Sequence, residues 1–256
     1  MTSSQHRPAG AILDAPRGGS GPLVVLVHGS VLGAAVTWRK QQPLARHWTL
    51  CTPNRPGFGA SPPASRGDFE AEAPLIAELL GDGAHLVGHS YGAVIALFAA
   101  ALRPGAVRSL TISEPGCLTV AAGNPAVDAV LENGNELFRR GPQMDPRDLL
   151  VFFRDGVGSA NVTPEELDGE LLAGAQLLMR ERPPWELDPP LELLAAQPFP
   201  KLVISGGHSD VFEAVCDVVA ERLGAERETI PGRGHSIPAT GDAYNERLDA
   251  FLSEAS

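Results

Sequence analysis

The chain has 256 residues, of which 43% are hydrophobic and 20% charged, a balance typical of a globular protein with a substantial core. Its formal net charge of −11 argues against nucleic acid and anionic membrane surfaces as partners. The first residues lack the apolar segment of a secretion signal, no stretch is apolar enough to cross a bilayer, and the three cysteines show no disulfide or metal spacing. We therefore expect a cytoplasmic protein without a bound metal.

Short apolar runs alternate with helical patterns along most of the chain. Strands are predicted at 11–13, 23–27, 48–52, just before Gly88, and at 107–113, 201–205 and 225–230. A helix is predicted over about 69–80, and further helical stretches follow the last two strands. Because strands that alternate with helices favour a parallel sheet, we predict an α/β fold with a mostly parallel, doubly wound sheet.

One segment breaks this alternation. Between Cys117 and about Pro190 only helical patterns occur, at 125–139, 146–154 and 164–181. We predict a core domain formed by 1–116 and 190–256, with 117–189 as a helical cap at the carboxyl edge of the sheet, where ligands bind in such folds. Most large apolar side chains of the cap are expected to pack it onto the core, and one or two to reach a pocket; they are Phe138, Phe152, Phe153, Leu177, Leu178, Met179 and Trp185.

The pentapeptide Gly88-His89-Ser90-Tyr91-Gly92 joins a predicted strand to a predicted helix. Gly-x-Ser-x-Gly at such a junction is the nucleophile elbow, a strained turn that exposes a serine hydroxyl at the end of a strand. The helix that follows directs its free N–H groups and positive dipole at the same point, where an anionic intermediate can be stabilised. We predict Ser90 as the nucleophile.

A His-Gly loop, the Gly-His-Ser-Tyr-Gly elbow, a helical insertion and a late Gly-His pair follow one another along the chain. This order resembles the α/β-hydrolase superfamily over about 22–252. The resemblance implies a helical cap, an oxyanion hole and a Ser–acid–His triad in that chain order. The histidines show no zinc spacing and no phosphate-binding loop is present, so we expect neither a metal nor a cofactor.

The resemblance assigns the base and the oxyanion hole. His235, in a glycine loop after the last predicted strand, resembles the family's catalytic histidine and would accept the Ser90 proton. His28-Gly29-Ser30 follows the first central strand as the family's oxyanion loop does, so the backbone N–H groups of Ser30 and Tyr91 are the expected donors. His28 is expected to support the loop, whereas Trp38 could line the pocket or pack in the core.

Two residues compete for the acid. The family usually carries an aspartate in a turn after the strand that follows the cap, which points to Asp210, although the proline that often follows is replaced by Val211. Some members use the end of the strand after the elbow helix, which points to Glu114. We favour Glu114, because its longer side chain suits reach from the neighbouring strand. Otherwise Glu114 would be a hinge residue of the cap, and Asp210 the N-cap of a helix from about Val211.

These assignments predict a serine hydrolase that cleaves an ester or lactone of a mainly hydrophobic small molecule through an acyl-enzyme. The same triad also serves cofactor-free C–C hydrolases, acyltransferases and cyclases, and the superfamily includes ligand receptors that hydrolyse little. The serine at the elbow argues against the haloalkane and epoxide branches, which need an aspartate there. The oligomeric state does not follow from the sequence.

Overall fold

The computed structural model describes residues 13–159, 162 and 169–255. Within them, seven strands form one sheet in the order β1-β3-β2-β4-β5-β6-β7. The strands are β1 (Arg17–Gly18), β2 (Leu23–Val27), β3 (Thr49–Cys51), β4 (Ala84–His89), β5 (Val107–Ser113), β6 (Lys201–Ser205) and β7 (Glu226–Thr229). Every pair is parallel except β1 with β3 at one edge, which confirms the predicted mostly parallel α/β sheet.

Helices connect the strands and cover both faces of the sheet. In the described part of the chain they are α1 (Ala34–Thr37), α2 (Phe69–Leu79), α3 (Tyr91–Leu102), α4 (Pro125–Arg140), α5 (Pro146–Val157), α6 (Gly169–Leu178), α7 (Leu191–Ala195), α8 (Asp210–Leu223) and α9 (Asp242–Glu254). Short 3₁₀ turns lie at Arg39–Arg46, Pro104–Ala106, Leu118–Ala121, Gly141–Gln143 and Ile237–Thr240. None of the described helices is long and apolar enough to span a membrane.

The core lies on both faces of the sheet, because successive side chains of a strand point to opposite sides. In β2, Val25 and Val27 belong to the apolar cluster beneath α2, α3 and α8, whereas Val24 and Leu26 belong to the cluster beneath α9. The alternation explains why the central strands are continuous apolar runs. Strand β4 is buried along its whole length, so its carboxyl end is held rigidly at the middle of the sheet.

The predicted strands 23–27, 107–113 and 201–205 are confirmed, whereas 48–52 and 225–230 are one residue too long at each end. The N–H of Trp48 donates to Leu44 O in the preceding 3₁₀ turn, so that residue does not join the sheet. Leu13 lies outside any strand, and the other two residues of the predicted strand 11–13 lie outside the described residues.

The helix predicted at 146–154 continues to Val157 and ends where Gly158 adopts the left-handed conformation. The helix predicted at 164–181 is described from Gly169 and ends at Leu178, where Arg180 N–H turns back to Leu177 O. The first part of that prediction falls on 163–168, outside the described residues. The C-terminal ends of these two helices therefore depend on local backbone conformation and hydrogen bonds rather than on hydrophobic periodicity.

We call residues 117–189 the cap segment. It contains α4, α5 and α6, and the first two begin with proline after a capping side chain, Asn124 and Asp145. Helix α6 lies directly on the loop after β2, since a Cβ on Gly174 would be 1.9 Å from Val31 O. At the other end Ser159 forms an isolated bridge with Gly234, and His235 N–H donates to Gly158 O at 3.0 Å.

Candidate active site

Ser90 occupies the sharp turn between β4 and α3. Its φ of 57° and ψ of −122° lie in a region that non-glycine residues rarely adopt, so the turn is strained. The flanking glycines are required because the chain is crowded there: a Cβ on Gly88 would be 2.6 Å from Ala93 Cα, and one on Gly92 would be 2.3 Å from His28 O. The turn leaves Ser90 half-buried at the edge of a cavity.

Ser90, His235 and Glu114 form one hydrogen-bonded chain. The Ser90 Oγ to His235 Nε2 distance is 2.9 Å, and the His235 Nδ1 to Glu114 Oε2 distance is 2.6 Å. Glu114 follows the end of β5 with a φ of 40° and is fully buried. Because the carboxylate accepts the Nδ1 proton, Nε2 of the neutral ring has a free electron pair that can accept the serine proton.

The second carboxylate oxygen of Glu114 is also occupied. Gly206 N–H donates to Oε1 at 2.6 Å, and His208 Nδ1 lies 3.4 Å from the same atom. Burial raises the pKa of Glu114, but the hydrogen bonds from His208, His235 and Gly206 outweigh it and lower the pKa to about 2. Glu114 is therefore ionised at neutral pH, with a carboxylate oxygen 2.6 Å from His235 Nδ1.

The structure does not bring Asp210 to His235. Asp210 is the first residue of α8 and is exposed, while both ring nitrogens of His235 contact other residues. The expectation that Asp210 caps this helix is wrong, because the helix begins at Asp210 and Ser209 holds the N-cap position. The glycine turn that resembles the family's aspartate turn instead contributes Gly206 N–H and His208 to Glu114.

The loop after β2 and the start of α3 meet above Ser90. Tyr91 is the first residue of α3, so its N–H has no acceptor within the helix. Gly29 allows the loop to approach closely, since a Cβ there would be 2.9 Å from Ser90 Cβ. Ser30 lines the same cavity as Ser90 and Tyr91. The residues predicted to supply the two main-chain donors, Ser30 and Tyr91, therefore lie beside Ser90.

A serine at a strand-to-helix turn, a histidine from a C-terminal loop and a carboxylate from a neighbouring strand are thus joined by hydrogen bonds. A model of the alpha/beta hydrolase family matches residues 24–247. The chain belongs to the alpha/beta hydrolase family. The matched range includes Ser90, Glu114 and His235, and the predicted resemblance to this family is confirmed.

Individual relatives of this alpha/beta hydrolase carry several names. It is 30% identical to polyketide synthase ThaQ of Burkholderia thailandensis, over 96% of this chain and 12% of that protein. It is 32% identical to the pimeloyl-acyl-carrier protein methyl ester esterase of Chromobacterium violaceum, over 60% of this chain and 62% of that protein. The chain thus spans less than two thirds of the length of either relative. An alpha/beta hydrolase structure from Sphaerobacter thermophilus has a TM-score of 0.68 at 24% identity, covers 94% of this chain and 96% of that one, and supports the fold.

The cavity beside Ser90 has a volume of about 240 Å³ and mostly apolar walls. Five of the seven cap side chains considered from the sequence line it, more than the one or two expected: Phe138, Phe152, Phe153, Leu178 and Trp185. Leu177 and Met179 pack elsewhere, as does Trp38, which belongs to the core cluster beneath α9. Phe212 stacks on the His235 ring with centroids 4.4 Å apart, so the histidine is bounded by an apolar wall.

A buried charge cluster behind the loop was missed at the sequence level. Arg55 lies in the glycine-containing loop 54–61, and its guanidinium is fully buried between Glu72 and Glu181. Burial lowers the pKa of Arg55, but the charges of the two glutamates outweigh it and raise the pKa. No local pattern reveals this cluster, because Arg55 and Glu181 are 126 residues apart.

Proposed function

We propose that this alpha/beta hydrolase is a serine esterase that forms an acyl-enzyme. Ser90 Oγ attacks the ester carbonyl carbon while His235 Nε2 takes its proton, and the Ser30 and Tyr91 N–H groups hold the oxyanion. His235 then gives the proton to the departing alcohol. A water molecule, activated by the same imidazole, hydrolyses the acyl-enzyme and releases the acid and free Ser90. The observation that carries this proposal is the hydrogen-bonded chain Ser90–His235–Glu114 at the edge of an apolar cavity.

The walls of the cavity support a neutral, mainly hydrophobic acyl group. Among the described residues that line it there is no Asp, Glu, Lys or Arg, and His235 belongs to the reacting group itself. A charged acyl group would lose its hydration here without gaining a partner. A volume of about 240 Å³ suits a medium-sized group rather than a polymer segment. A relative named as a methyl ester esterase supports an ester as the bond that is cleaved.

The test is a series of p-nitrophenyl esters from acetate to decanoate, together with a fluorophosphonate label. We expect turnover that improves with acyl length until the cavity is filled, and labelling of the tryptic peptide that contains Ser90. Ser90→Ala should lower kcat by about 10⁶-fold and abolish labelling, because the covalent step is lost. Ser65→Ala, which changes an exposed serine outside the site, is the matched control and should behave as wild type.

Different failures of this test have different meanings. Labelling of Ser90 without turnover of any ester or lactone would contradict hydrolysis and favour a receptor. Equal turnover by wild type and Ser90→Ala would contradict Ser90 as the nucleophile. A dominant transfer product in the presence of a second alcohol, or cleavage of a vinylogous diketone but not of esters, would replace the esterase proposal with an acyltransferase or a C–C hydrolase.

A further inference from the structure

Behind the oxyanion loop, one arginine joins the core, the loop and the cap segment. Arg55 donates through Nε and Nη2 to Glu72 at 2.7 and 3.1 Å, through Nη2 to Glu181 at 2.9 Å, and through Nη1 to Gly29 O at 2.9 Å. Arg55 has no exposed surface, and Glu72 and Glu181 are 4% and 5% exposed. Such a cluster is costly to bury, so its geometry is strongly fixed once it has formed.

The bond from Arg55 to Gly29 O acts on the Ser30 amide, because the two belong to one peptide group. In a planar trans peptide the C=O and the next N–H point in opposite directions. His28 supplies a second donor to Gly29 O. Its Nε2 accepts from the backbone N–H of Arg55 at 3.0 Å, so in the neutral ring Nδ1 carries the proton. That Nδ1–H donates to Gly29 O at 2.9 Å. Because Gly29 O faces Arg55, the Ser30 N–H of the same peptide group points in the opposite direction. Arg55 does not line the cavity, so the N–H points away from this buried side chain.

The side chain of Ser30 is held from the cap segment. Its Oγ donates to Glu181 Oε2 at 2.5 Å, while the other oxygen of Glu181 accepts from Arg55. The backbone around Glu181 is fixed too, because its N–H donates to Leu178 O and the next N–H, that of Arg182, donates to Gly67 O in the core. Ser30 is therefore held at two points: the peptide group before it is bonded to Arg55 through Gly29 O, and its side chain is bonded to Glu181.

We propose that Arg55 and Glu181 are positioning residues for the oxyanion hole: Arg55 fixes the Gly29–Ser30 peptide plane through Gly29 O, and Glu181 fixes Ser30 through its hydroxyl. This inference rests on the proposed function, in which the Ser30 N–H holds the oxyanion. It makes the hole a joint product of the core and the cap segment. Neither side chain touches the substrate, so their effect is on the transition state and not on substrate affinity.

The test measures kcat and KM for a p-nitrophenyl ester and the affinity for a trifluoromethyl ketone, which Ser90 converts to a hemiketal anion held by the same donors. Loss of a whole oxyanion donor costs about 10²–10³ in rate, and Glu181→Gln misaligns one donor without removing it. We expect Glu181→Gln to lower kcat by about 10- to 100-fold and to keep KM within about twofold. Its affinity for the ketone should fall by the same factor as kcat/KM. Glu186→Gln, on the same segment but half-exposed, is the control and should change none of these.

A second variant covers a failure of Glu181→Gln to fold, which thermal unfolding would detect. Ser30→Ala keeps the backbone N–H and the Arg55 cluster but removes the link to Glu181, and should lower kcat by about 3- to 10-fold with KM unchanged. An unchanged kcat in the folded variant, or a raised KM with normal kcat and ketone affinity, would show that the cluster only anchors the cap and would overturn the inference. If wild type neither turns over esters nor accepts the fluorophosphonate label, the proposed function fails, and this inference with it.

Discussion

Two buried glutamates contact residues around Ser90, Glu114 through His235 and Glu181 through Ser30, and their surroundings differ. Glu114 is approached by His235, His208 and Gly206 N–H, and these hydrogen bonds lower its pKa to about 2 in spite of burial. Glu181 accepts from Ser30 Oγ but shares Arg55 with Glu72, and burial raises its pKa. Burial alone therefore does not fix the charge of a carboxylate, because the hydrogen-bond donors and the charges around it also act on its pKa.

The largest effect is expected for Glu114, because it is the glutamate that is hydrogen-bonded to His235. Glu114→Gln removes the negative charge that stabilises the imidazolium, and should lower kcat by about 10³- to 10⁴-fold with little change in KM. That loss exceeds the loss expected for Glu181→Gln by at least tenfold. Ester kinetics on both variants measure the difference, and equal losses would contradict the distinction drawn between them.

The next effect concerns the cluster around Glu181. Arg55→Met leaves Glu72 and Glu181 buried without their cation, so the free energy of unfolding should fall by about 3–5 kcal/mol. Urea unfolding followed by circular dichroism measures it. Arg66→Met is the control, since Arg66 is half-exposed and 3.8 Å from its partner Glu186. A loss for Arg55→Met no larger than that of the control would show that the cluster contributes little to stability.

A smaller effect follows from the pKa of Glu114. Its folded pKa of about 2 lies below the ordinary 4.5, so the unfolded chain binds more protons between these values. The stability that ionised Glu114 contributes, about 3 kcal/mol, is therefore present above pH 4.5 and lost as the pH falls toward 2. The measurement is the free energy of unfolding of wild type and of Glu114→Gln from pH 6 to 3. The difference between the two proteins should shrink as the pH falls.

The difference in unfolding free energy between wild type and Glu181→Gln should change in the opposite direction as the pH falls. Because the folded pKa of Glu181 is raised, its protonated form favours folding, and the wild type gains relative to the variant as the pH falls. Parallel pH profiles for the two variants would show that the two glutamates do not differ in the way their contacts indicate.

The smallest effect is expected at the rejected acid. Asp210→Asn should leave kcat and KM within about twofold of wild type, because this side chain is exposed and both nitrogens of His235 contact other groups. The same ester assay measures it. A fall of several orders of magnitude with normal Glu114→Gln activity would reverse the assignment of the acid.

The parts of the molecule that the sequence reveals are those governed by neighbours in the chain. Gly88 and Gly92 are needed because their own backbone is crowded by adjacent elements, so their spacing around Ser90 can be recognised. The central strands are equally recognisable, since burial on both faces produces continuous apolar runs. These local signals, with the resemblance they carry, were enough to predict the sheet, the elbow and the residues now found around it.

Other features depend on pairings across the chain and leave no local pattern. The cluster of Arg55 and Glu181 joins a loop of the core to the cap, and the roles of Glu114 and Asp210 depend on which strand end lies nearer to His235. Likewise, Leu177 and Leu178 look alike in sequence, yet only Leu178 lines the cavity, because a helix turns successive side chains by about 100°. Such distinctions are set by the folded arrangement of the whole chain.

The backbone bond from His235 to Gly158 O has a consequence for how substrate can enter and leave. Together with the Ser159–Gly234 bridge, it fastens the end of α5 to the loop that carries the imidazole. If the cap segment lifted at this end, the buried backbone N–H of His235 would lose its acceptor, and the ring would shift relative to Ser90 Oγ. Substrate exchange that leaves these bonds intact would have to pass another part of the cavity wall, such as Phe152, which lines the cavity and is 47% exposed.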